Sequence, residues 1–139
     1  MALTDELRMD IAAARAELRA AIEGSSGGWE QSPGGEEWPP RRIAEHVIRA
    51  DVSFARYVLG ATGQPGADTP REELSLPTGA EALAALERSA GVADPVWATV
   101  QAEQLTLAAP PMDSIEATMR LAGSHLREHA QQIAAGGAA

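Results

Sequence analysis

Residues 3–23 read LTDELRMDIAAARAELRAAIE, and the placing of their apolar side chains decides the fold class. Leu3, Leu7, Ile11, Ala14, Leu18 and Ile22 recur at spacings of 4, 4, 3, 4 and 4. Those intervals put every one of them on one face of an α-helix and break the alternation that a strand needs. Thr4 is positioned as an N-cap, Asp5 and Glu6 suit the positive end of the helix dipole, and Gly24 ends the segment. A helix is therefore expected from Thr4 to Glu23.

Three further helices are expected. After a Gly/Ser/Pro-rich loop over 24–37, the second opens at Pro39 or Pro40, since proline is tolerated in a first turn. Its apolar face reads Ile43, Val47, Ala50, Phe54 and Val58, and Gly60 stops it. Residues 60–77, with Gly60, Gly63, Pro65, Gly66, Pro70 and Pro77, form a long connection without regular structure. Thr78 and Glu81 form a capping box for a third helix bearing Leu83, Leu86, Ala90 and Val100. Gly91 and Pro95 interrupt that pattern and predict a kink or break near Asp94. Asp113 with Glu116 is a second capping box, opening a fourth helix striped by Ile115, Met119, Ala122, Leu126 and Ile133. No repeat and no sustained period-2 pattern is present. The expected architecture is an all-α four-helix bundle, one domain spanning residues 1–139.

Composition supports this and narrows the function. Of 139 residues 29 are Ala and only 4% are aromatic, a balance suited to closely packed helices. Acidic residues outnumber basic ones 20 to 11, a net charge of -9, and all 11 basic residues are Arg. Nucleic acid and anionic membrane surfaces are poor partners for such a chain, whose longest basic run is Arg41-Arg42. The absence of Lys removes Schiff-base chemistry on the chain's own amines. The absence of Cys removes disulfides, thiolate metal sites and a cysteine nucleophile. Asp5 and Glu6 stand where a secretory signal would be basic, and no run approaches the roughly 20 apolar residues of a membrane span. A soluble, cytoplasmic protein is expected.

The chain has three histidines, His46, His125 and His129. His125 and His129 are four apart on the fourth helix, so their imidazoles leave the same face and can reach one metal ion. His46 lies near the start of the second helix, on an edge shared with Ile43, Ala50 and Ser53. If those helices face each other, three imidazoles form a site with open coordination positions, the arrangement of a catalytic rather than a structural zinc site. Imidazole suits zinc, nickel, copper and iron alike. His125 to His129 also fits the H-x-x-E-H pattern of inverted zinc proteases, but their large substrate clefts do not fit a chain of this size.

Trp38-Pro39-Pro40-Arg41-Arg42-Ile43-Ala44-Glu45-His46-Val47 resembles the Trp-Ser-Pro…His helix start of the DinB/YfiT-like superfamily. His125-Leu126-Arg127-Glu128-His129-Ala130-Gln131-Gln132-Ile133 is similar to that family's final His-x-x-x-His helix, trailing Gln-Ile included. The resemblance implies a four-helix bundle holding a divalent metal, zinc or nickel first, on His46, His125 and His129. It further implies a metal-dependent enzyme, a thiol-dependent S-transferase or a related hydrolase or isomerase, with a low-molecular-weight thiol as co-substrate. In the mycothiol-dependent maleylpyruvate isomerase branch the first His of the last helix is typically Glu. His125 stands there in this chain, which points to the DinB-type branch.

Glu128, three after His125, is a candidate general base, or else a solvated helix carboxylate. Trp38 either lines the metal cavity or pins a loop to the helix start, and the 29–38 loop is a candidate lid. Ser53 and Tyr57, at +7 and +11 from His46, are candidate pocket groups. Gln132 is placed to orient His129, while Glu45, Arg120 and Arg127 are expected at the surface. Two other readings compete with the enzyme. One is a non-catalytic metal- or ligand-binding stress-response protein, and the other a homodimeric structural module with incidental histidines. Meeting of the three histidines also fixes topology. The start of helix two must adjoin the last turns of helix four, so those two run antiparallel, and the 60–77 connection must cross the bundle. Up-down-down-up connectivity is expected.

Overall fold

A computed structural model describes residues 1–25 and 27–137. It contains α1 (Leu3–Glu23), α2 (Pro40–Ala61), α3 (Gly79–Thr99) and α4 (Ile115–Gly137), with a single 3-10 turn at Ala102–Gln104 before α4. The apolar stripes of α1, α2 and α4 turn inward as their spacing requires. Leu7, Ile11, Leu18, Ile43, Val47, Val58, Ile115, Met119, Leu126 and Ile133 are all buried in one core. On α3 the inward face is Ala82, Ala85, Leu86, Ala93, Val96 and Trp97, while Leu83 and Ala90 are only half-buried.

Side-chain contacts fix the direction of each helix. Gly123 abuts Asp10, and Arg127, one turn later, pairs with Asp10 and Glu17, so α1 and α4 run parallel. Gly79 lies by Ile22 and Asp94 pairs with Arg15, so α3 runs against α1. Glu45 holds Leu76 just before α3, and Gln64, just after α2, reaches Thr99 at the far end of α3, so α2 and α3 are parallel. The topology is up-down-down-up, with residues 62–78 crossing the bundle. Around the ring the order is α1, α4, α2, α3, which leaves α1 diagonal to α2 and α3 diagonal to α4.

Several local expectations need correction. α1 starts at Leu3 with Ala2 in the cap position and no side-chain cap, so Thr4 lies inside the first turn. Pro40 is the first residue of α2, and the helix passes Gly60 to end at Ala61. Thr78 caps α3 as expected, its hydroxyl accepting from the Glu81 N–H at 3.2 Å. The cap of α4 is Ser114, whose hydroxyl accepts from the Ala117 N–H at 3.0 Å, and Glu116 instead pairs with Arg120. No break occurs near Asp94, because α3 is continuous through Pro95. Proline removes the one bond to the Gly91 carbonyl, and both residues are exposed, so water can satisfy that oxygen. No helix among the described residues is long and apolar enough to cross a membrane.

Candidate metal centre

His46 projects from the second turn of α2, while His125 and His129 project from the middle of α4, which continues two turns beyond them. Antiparallel packing of the two helices brings the imidazoles together. His46 Nε2 lies 3.3 Å from His125 Nε2, and His129 Nε2 lies 3.1 Å from the same atom. All three candidate ligand atoms fall within 4.8 Å of one another, and all three residues are half-buried. Nitrogens bound tetrahedrally to one ion at about 2.0–2.1 Å sit about 3.3 Å apart. The three imidazoles therefore fit a divalent ion with little movement, and their all-nitrogen donor set suits zinc, nickel or copper. The three-histidine site can bind a divalent metal.

The surroundings favour the neutral form of His46 and His125 and orient His129. Burial, then His129 and His46, hold the His125 pKa down to about 4. Burial, then His129, Arg49 and Arg71, lower that of His46. His129 is steered from behind, with its Nδ1–H donating to Gln132 Oε1 at 2.8 Å. That bond leaves the Nε2 lone pair free to face the centre. Trp38 meets His46 edge-on at 5.6 Å between centroids, with the Arg42 guanidinium 4.1 Å above the indole. Phe54 meets His125 edge-on, also at 5.6 Å. These two aromatic rings wall the site on the α2 side.

A family model of the DinB superfamily matches residues 10–133. The chain belongs to the DinB superfamily. No curated protein and no solved structure matches it. The superfamily match takes in all three histidines of this DinB-superfamily protein, and all three come from a single chain.

The other candidates are distributed differently. Trp38 stands against the centre, whereas Ser53 and Tyr57 line a neighbouring open depression of about 750 Å³ with Arg56, Arg71 and Pro110. Ser53 donates to the Arg49 carbonyl, and Tyr57 reaches the centre only through Phe54, 6.2 Å away. Glu128 is exposed and makes no hydrogen bond to a histidine among the described residues. Glu45 does not face solvent. Its carboxylate accepts from the Leu76 N–H at 2.8 Å and pairs with Arg41. Trp29 Nε1 donates to the Leu76 carbonyl at 2.8 Å, so both loops are tied to the start of α2 beside His46. The base of the 29–38 loop is thereby anchored. Arg127 joins α4 to α1.

Two members of this assembly escaped the sequence reading. Phe54 was placed in the core stripe, although its position eight residues after His46 brings it near the same helix face. Glu45 gives no signal in sequence, because its partner lies 31 residues away in the crossover.

Proposed function

We propose that this protein is a metal-dependent enzyme acting on a small thiol, most closely a thiol S-transferase or a related hydrolase or isomerase. The reading rests on one observation: three imidazoles converge within 4.8 Å on a half-buried centre. Zinc and nickel are the first candidates for the ion. A divalent ion held there favours the thiolate form of a bound thiol, the nucleophilic form. The chain contains no Cys, so the sulfur arrives on a low-molecular-weight thiol such as mycothiol, bacillithiol or glutathione. The cytoplasm, where such thiols stay reduced, is the compartment this chemistry needs.

The chain's own residues divide the work. His46, His125 and His129 hold the ion, Gln132 keeps His129 in its ligating tautomer, and Trp38 and Phe54 exclude water from one side. We assign Glu128 the proton released by the incoming thiol, and Ser53 and Tyr57 contacts to the electrophile in the adjoining depression. The sulfur then bonds to the electrophilic carbon, and the leaving group departs with its electron pair. The alternative is a non-catalytic metal- or ligand-binding stress-response protein, favoured by the exposure of Glu128. Metal analysis of untagged protein tests the common ground. Wild type should carry about one divalent ion per chain and His129→Ala severalfold less; equal content would refute the site. Metal-dependent turnover of any of these thiols with a generic electrophile then separates enzyme from binder, and no rate above background at full occupancy decides for the binder.

A further inference from the structure

Under the crossover, a groove of about 500 Å³ runs between α2 and α3. Its floor is apolar, built from Ile48, Val52 and Leu59 of α2, Val92 and Val96 of α3, and Leu74 of the crossover. Four guanidinium groups surround that floor: Arg49 and Arg56 of α2, Arg71 of the crossover and Arg88 of α3. Glu72 is the one carboxylate among them.

This placing of charge is unexpected for a chain with 20 acidic and 11 basic residues. Arg15, Arg41, Arg120 and Arg127 all pair with carboxylates. Among the described residues no carboxylate pairs with any of the four groove arginines, and Arg56 donates to the Pro70 carbonyl instead, at 2.8 Å. A cleft lined with one sign of charge over an apolar wall concentrates the opposite charge. The guanidinium fork matches a carboxylate in two parallel hydrogen bonds. From Ile48 to Leu59 the floor extends about 16 Å along α2, and the volume lies within the usual range for ligand cavities. Val92, 54% exposed, leaves the floor open at its α3 edge.

We propose that this groove binds an amphipathic organic anion, a medium-chain alkyl carboxylate, with its chain along the apolar floor and its head on the arginine rim. None of the three histidines lines the groove, although Arg49 and Arg71 also act on His46, and Arg56 and Arg71 also line the depression beside the metal centre.

Calorimetric titration of the full chain with dodecanoate, dodecanol and acetate tests this. Dodecanoate should bind once per chain, at least tenfold more tightly than either the uncharged or the tail-less probe, and more weakly as salt rises. The exposed double variant Arg71→Gln/Arg88→Gln should lose tenfold or more in dodecanoate affinity while keeping its far-ultraviolet spectrum. Val92→Glu, which puts a like charge at the mouth, should weaken binding too. Binding must survive in His129→Ala, because its loss there would mean coordination to the metal. Absence of dodecanoate binding, equal affinity for dodecanol, or no change in the double arginine variant would each overturn the proposal. Dodecyl phosphate binding in place of dodecanoate would also overturn it.

Discussion

At His125 burial meets the influence of two neighbouring imidazoles, His129 and His46. Together they favour the neutral form, with the pKa held at about 4. The unfolded chain protonates the same residue near 6.5. Between those values the unfolded state binds a proton that the folded state refuses, so stability rises with pH across the window. Stability from this residue is therefore complete above about pH 6.5 and is lost as pH falls toward 4. In chelator-treated protein, Tm should fall between pH 7.5 and 5, above the range where most carboxylates titrate, and His125→Ala should flatten that dependence. A pH-independent Tm in the wild type over this interval would contradict the account. The histidine pair was legible from its spacing, since four residues is a little over one helical turn. The walls of the centre were less so: Trp38 reads as either a cavity wall or a loop pin, and the candidate pocket groups Ser53 and Tyr57 turn to the neighbouring depression. Positions +7 and +11 from His46 drift around α2, because 3.6 residues per turn does not divide them evenly.

The helices are locked together by charges as well as by their stripes. Arg15 of α1 is buried, with Nη2 2.9 Å from Asp51 of α2 and Nη1 2.7 Å from Asp94 of α3. Burial opposes its charge, yet the two carboxylates, Asp51 foremost, hold its pKa above the ordinary arginine value. Asp51 is fully buried at its side chain, whereas Asp94 is half-exposed. Removing each partner should therefore have unequal effects. Asp51→Ala leaves a buried guanidinium short of its main partner and should cost about 3–5 kcal/mol. Asp94→Ala removes a screened contact and should cost about 1 kcal/mol or less. Urea denaturation of the two variants measures the difference, and equal losses would show that the pairing carries no weight. Nothing in the sequence marked Arg15, which sits between Ala14 and Ala16 on a face otherwise read as apolar or neutral. Periodicity finds the apolar side of an element but not the polar group that crosses it to meet a partner. The same limit misplaced the α4 cap. Asp113 and Ser114 are adjacent and both favoured as caps, and the structure uses Ser114. Gly123 permits the close α1–α4 approach, because a Cβ there would lie 2.4 Å from Asp10 Oδ2.

Across the whole molecule, the up-down-down-up order was legible because three histidines had to meet, and the 62–78 crossover supplies the chain that order needs. The pairing of helices around the ring was not legible, since four amphipathic stripes alone do not say which neighbours they choose. In the ring found here, every principal interface joins a helix of the first half, α1 or α2, to one of the second half, α3 or α4. Each half taken alone holds two helices that stand diagonally, joined in the first half by the Arg15–Asp51 pair but sharing no principal interface. Chain cleavage in the exposed 68–73 stretch of the crossover would therefore yield two pieces that are each without a core, one carrying His46 and the other His125 and His129. In proteins most helical stability comes from packing the apolar face, which neither piece could do alone. Such fragments should be largely coil separately by circular dichroism and become helical only when mixed, and zinc should tighten their association through a centre that neither contains. If either fragment were fully helical by itself, the halves would not depend on each other. Otherwise the bundle is a natural two-piece complementation system, with metal occupancy as the signal that its pieces have met.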